Sequence, residues 1–418
     1  MSQSGAAWYR SINSRQWKSL VAAQLGWMLD AMDVMLYAFA LGAIQREFGL
    51  TSAEAGALAS VTLVASAFGG ITFGVLADRI GRAKALMYSI LLYSIFTALT
   101  ATAGTVAELV LWRGLVGIGM GGEWSAGSVL VSETWPPEHR GKAIGIMQSG
   151  WAIGYIFAAI LAAAILPAFG WRVLFLLGIL PAVFVLWIRR NVPEPEIWLK
   201  ERALPGRKDD VPFHQIVQIF RPPLVRKTLS ATIISTCVLF AYWGLFTWMP
   251  SFLSRPLEQG GAGLGIVKSS TWIIPMQIGA FLGYISFGFF ADRFGRRPVF
   301  LSFLIAAAVL VPVYGQLARH DILLLFLGPL IGFFGHGYFS VFGVMLAELF
   351  PTHVRGTAQG LTYNIGRAFS ALAPFTIGAL ADEHGIGSAL ALTSAFFLLG
   401  AGLIFLLPET RGADLTRN

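Results

Sequence analysis

The sequence predicts an all-α integral membrane protein, with twelve transmembrane helices in two six-helix bundles that repeat one another. Three observations carry this. Of the 418 residues 56% are hydrophobic and only 12% are charged, against roughly 25% charged in a soluble domain, so most of the surface must face lipid. Apolar runs near the ~20 residues that cross a hydrocarbon core recur about twelve times. Polar signatures between those runs return at one fixed spacing.

The spacing is the firmest of the three. Gly74-Val-Leu-Ala-Asp78-Arg79-Ile-Gly81-Arg82 returns 214 residues later as Gly288-Phe-Phe-Ala-Asp292-Arg293-Phe-Gly295-Arg296. Glu133-Thr-Trp-Pro136, leading to Arg140-Gly141, returns 215 residues later as Glu348-Leu-Phe-Pro351, leading to Arg355-Gly356. Pro193-Glu194 returns as Pro408-Glu409, again 215 residues on. Three signatures in one register mean a duplicated unit, and a duplicated unit in a membrane points to a transporter.

Taken in order, the apolar runs lie near 18–42, 53–77, 85–103, 105–131, 142–166 and 170–189, then 226–253, 268–291, 298–318, 320–347, 357–381 and 385–407. Residues 1–190 form the first expected bundle and 226–418 the second. The Pro-, Lys-, Arg-, Glu- and Asp-rich stretch 191–225 is the linker between them. Residues 1–17 are polar and the first apolar run is a full span, so no cleavable signal peptide is expected. The single cysteine, Cys237, excludes an intrachain disulfide and a cysteine metal cluster.

The net charge of +8 reads as topology. With the N-terminus placed inside, 23 of the 30 Lys and Arg fall in inner loops and tails, and only Arg46, Arg172, Arg255, Lys268 and Arg319 fall outside. That asymmetry predicts cytoplasmic termini in a plasma membrane. No basic stripe interleaved with aromatics offers a nucleic-acid face.

Twelve spans in a six-plus-six repeat, with Gly-x-x-x-Asp-Arg-x-Gly-Arg after spans two and eight, resemble the major facilitator superfamily over essentially the whole chain. Within it, Trp8-Tyr9-Arg10, Leu29-Asp30-Ala-Met-Asp33 and Glu47-Phe48-Gly49-Leu50-Thr51 resemble the sialate:proton symporter group, which includes lactate and other organic-acid carriers. Gly119-Met-Gly121-Gly122-Glu123-Trp124, Gly170-Trp171-Arg172 and Thr362-Tyr363-Asn364-Ile-Gly366 fit the same group. The Asp30-x-x-Asp33 pair is also similar to one in aromatic-acid:proton carriers. The bacterial sialic acid carriers of the group hold two additional central spans, where this chain has only its polar linker.

An ionisable side chain at mid-membrane costs at least ~2.5–3.5 kcal/mol, so each needs a partner or a watery path. Six fall inside spans: Asp30, Asp33, Arg113, Glu123, His336 and Arg367. Asp30 and Asp33 share a helical face, which Tyr37 continues. Asp33 and Arg113 lie at matching depths, so a span-one to span-four ion pair is feasible. That pair either locks the first bundle or releases the aspartate to a proton when a substrate carboxylate arrives. Asp30 and Glu123 are the other candidate proton carriers. Glu123 follows a run of glycines suited to close helix packing. Arg367 lies near mid-span with Asn364 on its face, and Gln148 stands at the repeat-related position in span five. Arg367, Arg113, Gln148, Asn364 and Tyr37 are therefore the candidate substrate contacts, with a guanidinium suited to a carboxylate. His336 is a candidate relay or a neutral packing residue. Trp243, Phe246, Trp248, Trp272, Tyr338 and Phe339 are candidate cavity aromatics.

The resemblance gives the hinge residues a gating role: Gly74, Asp78, Arg79, Gly81, Arg82, Glu133, Arg140, Asp292, Arg293, Gly295, Arg296, Glu348 and Arg355. Gly74 is expected in a close helix contact. Arg79, Arg82 and Arg140 are expected to pair with Asp78, Glu133 or Glu138, holding one conformation and parting as the halves rock.

The expected function is proton-coupled symport of a carboxylated metabolite, sialic acid or a monocarboxylate such as lactate, by a functional monomer in a bacterial inner membrane. The alternatives are an aromatic-acid or sugar carrier and a sensor on a carrier scaffold. The few span-borne amides (Gln24, Gln148, Gln277, Gln316, Asn364) argue against sugar, and the short linker argues against a sensor. No Gly-x-Ser-x-Gly, His-Glu-x-x-His or P-loop motif is present, so neither an enzyme nor an ATP pump is expected, and no cofactor.

Overall fold

The computed structural model describes residues 8–202, 217–351 and 354–410. Twelve helical rods follow one another along them. Spans one to four are Ser14–Phe48, Ser52–Ile80, Arg82–Thr100 and Val106–Thr134. Helix Pro137–Leu176 carries span five and turns back at Gly170, whose φ of 75° is open to glycine, into span six, which ends in Leu180–Asn191. After the short helix Glu196–Arg202 come span seven, Val225–Ser254, span eight, Gly265–Phe294, and span nine, Arg296–Gln316. Span ten is Asp321–Gly337 and Phe339–Leu349, interrupted at Tyr338. Span eleven is Arg355–Ser370 and Leu372–His384, interrupted at Ala371, and span twelve runs from Ile386 through Leu392–Leu403. Eight stretches are long and apolar enough to cross a membrane by length and composition alone. One of these, Lys142–Asn191, makes two passes across the Gly170 turn.

Local signals set the helix starts. Asn13, Thr51 and Thr105 each accept a hydrogen bond from the backbone three residues on, while Gln16, Glu54 and Glu108 reach back to the cap residue. Between spans two and three the chain turns at Gly81, φ 115°, and between spans eight and nine at Gly295, φ 103°. A side chain is strained in that region, which is why the duplicated signature keeps glycine there.

The same duplication appears in the polar contacts. Arg82 donates from Nε and Nη2 to both oxygens of Glu133 (2.9 and 2.8 Å), and Arg296 stands 3.6 Å from Glu348. The Glu194 carboxylate accepts from the backbone N–H groups of Ala83 and Lys84, at the start of span three. Glu409 does the same for Arg296 and Arg297, at the start of span nine. These acids cap helix N-termini, where unpaired N–H groups and the positive dipole end favour a carboxylate. The repeat of Pro193-Glu194 thus marks one device used twice.

Two hinge expectations change. A Cβ on Gly74 would meet nothing within 4 Å, so that glycine stands in open space and not in a close helix contact. The Arg82–Glu133 and Arg296–Glu348 pairs each lie within one half, so among the described residues neither bridges the halves. Arg79 and Arg293 are exposed. The side chains of Asp78, Arg140, Asp292 and Arg355 lie outside the described residues, as does part of the linker.

The two halves meet along spans two and eleven, and along spans five and eight. Within the first half, span five lies so close to span one that a Cβ on Gly154 would collide with the Met28 carbonyl oxygen. Glycine there removes the side chain that would hold the two backbones apart. Gly154→Ala should therefore destabilise the protein by about 1–3 kcal/mol through overpacking, read as a lowered midpoint in tryptophan-fluorescence melting in detergent. Gly402→Ala, in open space on span twelve, should leave the midpoint unchanged.

Candidate substrate and proton site

Asp30, Asp33, Arg113, Glu123 and Arg367 are each at most 2% exposed, and His336 is fully buried. Both carboxylate oxygens of Asp33 and of Glu123, one of Asp30, two guanidinium nitrogens of Arg113 and Nε of Arg367 have no hydrogen-bond partner. Buried polar atoms are normally satisfied, because leaving one bare costs about 1–3 kcal/mol and more for a charged group. Such a concentration of bare charge in spans one, four and eleven marks a site that ligand, proton or water completes.

The charges fall into two groups. Asp33 points back between spans three and six: its Oδ1 lies beside Gly178, with Thr97 next to it. Among the described residues Asp33 and Arg113 form no ion pair although their depths match, and they act on one another only through their fields. Span one is rotated so that Asp33 faces the rear of the first half while Arg113 faces the centre. Glu123 lies against Gly26 of span one, so close that a Cβ on Gly26 would come 2.5 Å from Oε1. Tyr93 of span three stands among all three acids, its hydroxyl 3.5 Å from the Gly26 carbonyl. Asp30 is electrostatically linked to Glu123 on one side and, across the seam between the halves, to Arg367 on the other.

The second group surrounds a central cavity of about 20 Å³, room for a single water. Tyr37, Thr62, Arg113, Met120, Trp243 and Thr247 are among its walls, so both halves line it. The Arg113 guanidinium sits over the Tyr37 ring, 4.6 Å from its centre, and the Tyr37 hydroxyl donates to the Ala55 carbonyl at 2.8 Å. That hydrogen bond fixes the ring, and the ring holds the guanidinium by cation–π attraction. Opposite, the Arg367 guanidinium lies 5.9 Å from the Trp243 ring centre, and the buried indole N–H of Trp243 is unpartnered. Trp243 thus stands between the two arginines. The face carrying the 49–51 turn holds a separate vestibule of about 1270 Å³, and buried Ala38 stands between it and this cavity, in the wall of both.

An aromatic cluster backs Trp243. Trp151 of span five packs edge-on to it at 5.9 Å and against Trp27 at 4.7 Å, and donates its indole N–H to the Tyr242 hydroxyl. His336 is enclosed by Phe246 and Tyr242, with Nδ1 3.2 Å from the Gly332 carbonyl. Of the aromatics expected at the cavity, Trp243 lines it. Trp248 instead donates to the Pro374 carbonyl, and Trp272 donates to the Asp321 carbonyl at the rim. Trp27, Trp151, Tyr242 and Tyr93 were not expected. The available signal was their depth, since Trp and Tyr gather at the membrane interfaces and a mid-span Trp needs an internal partner.

The remaining candidates lie off the cavity wall. Asn364 faces span two, where a Cβ on Gly70 would come 2.8 Å from Oδ1, and its amide donates to the Gly360 carbonyl. Gln148 is half-buried with its Oε1 unpartnered. Near Asn364, Trp124 and Tyr363 stack across the seam at 4.7 Å.

The comparisons with known proteins agree with this architecture. A family model described as Major Facilitator Superfamily matches residues 25–286 and 269–417. A "Probable 4-methylmuconolactone transporter" of Cupriavidus pinatubonensis is 36% identical over 97% of this chain and 94% of its own length. The "Sialic acid transporter NanX" of Escherichia coli is 31% identical over 94% of each. Among solved structures, that of a D-xylose-proton symporter superposes with a TM-score of 0.76, covering 96% of this chain and 99% of that one at 19% identity, which shows the fold alone. The protein is a multi-pass membrane transporter and not an enzyme, and it belongs to the major facilitator superfamily.

Proposed function

We propose that this chain is a proton-coupled symporter of a small, flat carboxylate, working by alternating access between the bundles 1–190 and 226–418. One observation carries the reading: the Arg113 guanidinium faces a small cavity shared by both halves, with two nitrogens bare and the Tyr37 and Trp243 rings as walls. A guanidinium supplies two parallel donors to a carboxylate, and flanking aromatic faces favour a planar, conjugated body. Arg367, on the far side of Trp243, takes a second acidic group or closes behind the first.

The proton partners are Asp30 and Glu123, with Tyr93 between them and Asp33 behind. Asp30 is linked to Arg367, so an anion binding at that arginine weakens its hold on the Asp30 carboxylate and favours proton uptake there. A monoanion entering with one proton carries no net charge. The excess of Lys and Arg on the hinge side favours cytoplasmic termini, and the chain works as a monomer.

The muconolactone relative supports a compact unsaturated acid. The sialic acid relative favours a second reading, a larger sugar acid held by the same arginine. Uptake of labelled muconolactone, benzoate, lactate and sialic acid into proteoliposomes, with and without an inward proton gradient, separates them. Gradient-stimulated uptake of a flat acid is expected, and stimulation by sialic acid alone supports the second reading. Gradient-independent uptake of every acid contradicts proton coupling.

Arg113→Ala should cut uptake at least a hundredfold, the scale of about 3 kcal/mol for a lost charge-assisted pair. Asp30→Asn and Glu123→Gln should abolish gradient-driven accumulation while leaving exchange of labelled for unlabelled substrate largely intact. Gly26→Ala should move the Glu123 carboxylate and reproduce the Glu123→Gln phenotype without altering any charge. Comparing accumulation with exchange for each variant checks all three.

A further inference from the structure

We infer that Asp382 and Arg255 are positioning residues of the transport cycle: together they latch the two halves shut on the face that carries the 49–51 turn. The first turn of span two requires such a partner. The Thr51 hydroxyl takes the N–H of Glu54, but the N–H groups of Ser52 and Ala53 have no acceptor in their own half. They donate to Oδ1 and Oδ2 of Asp382, at 3.0 and 2.9 Å, from the end of span eleven in the other half. A helix N-terminus is thus completed by a carboxylate 330 residues away, and only while the halves are closed.

Arg255, just past span seven, adds a second tie across the same seam. Its Nη2 donates to Gln45 Oε1 at 2.8 Å and to the Ser52 hydroxyl at 3.1 Å. Trp248, under the Arg255 guanidinium, donates to the Pro374 carbonyl, which ties span seven to span eleven, the helix that carries Asp382.

The backbones around the latch are in near contact. A Cβ on Gly56 would collide with the Pro374 carbonyl, and one on Gly378 with the Ser52 carbonyl. The tie is also one-sided. The residue repeat-related to Asp382 is Pro167, and the one repeat-related to Ser52 is Ile266, so the span five–eight seam has no counterpart. The duplicated scaffold did not supply this contact. It is built on one seam only, and Ser52, Arg255 and Asp382 all stand in the wall of the vestibule on this face.

The test is thiol labelling of purified full-length protein in detergent, which needs neither substrate nor membrane orientation. Cys237, the sole cysteine, is changed to serine, and Ala38→Cys reports opening of this face. Asp382→Asn, Arg255→Gln and Gly56→Ala should each raise the maleimide labelling rate roughly tenfold or more, with Asp382→Glu intermediate. Ala126→Cys, buried at the hinge end of span four, should label no faster in any of them. Labelling of Ala38→Cys within twofold of the parent in monodisperse Asp382→Asn and Gly56→Ala overturns the latch. Equal acceleration at Ala126→Cys also overturns it, because that marks general loosening. If one variant does not fold, the others answer the same question.

Discussion

A hydrocarbon interior offers a charge neither water nor counter-ions, and the molecule is arranged around the few charges it nevertheless keeps there. Each costs at least ~2.5–3.5 kcal/mol to insert. Isolated, they would be a liability. Gathered on spans one, four and eleven, they share one enclosed region, and several hydroxyls nearby bond to backbone carbonyls, as where Thr62 donates to the carbonyl of Leu58, Ser89 to that of Gly119 and Thr362 to that of Ala358, while Thr97 beside Asp33 stays unpartnered. The charged side chains of Asp30, Asp33, Arg113, Glu123 and Arg367 all keep bare atoms there.

Helix packing serves this arrangement. Glycines let spans one, four and five approach closely enough to enclose Glu123 against Gly26, while aromatic rings hold the two arginines from the side. At the ends of the spans the logic reverses. Water is available there, and acidic side chains are spent on capping helices: Glu194 and Glu409 within the halves, Asp382 between them. The same carboxylate chemistry thus stiffens each half at one face and joins the halves at the other.

The architecture was legible because duplication and lipid both write strongly in a sequence. The 214–215 register related Arg82 to Arg296 and Glu133 to Glu348, and the structure joins them as one ion pair in each half. It also drew notice to Glu194 and Glu409, although not to their capping role. What the register could not convey is rotation about each helix axis. Depth along a span follows from counting residues, so Asp33 and Arg113 were placed at one level, but a turn of span one sends Asp33 toward Thr97 and away from the arginine. Asn364 was misplaced for the same reason, since its face meets Gly70. Asp382 lacked any repeat partner and lay beyond the apolar run, so nothing local set it apart. Its role exists only in the meeting of two distant helix ends.

The unequal sharing of charge between the halves has an electrical consequence. With its acids ionised, the mid-membrane region of the first half holds the carboxylates of Asp30, Asp33 and Glu123 against the guanidinium of Arg113, while the second half faces them with Arg367. The closed protein is then a charged capacitor whose plates are its own two bundles. Separating the plates in a medium of low dielectric requires work, and that work falls when a proton discharges one plate or an anion discharges the other. On the proposed symport reading, cargo and proton are the discharge that lets the plates move.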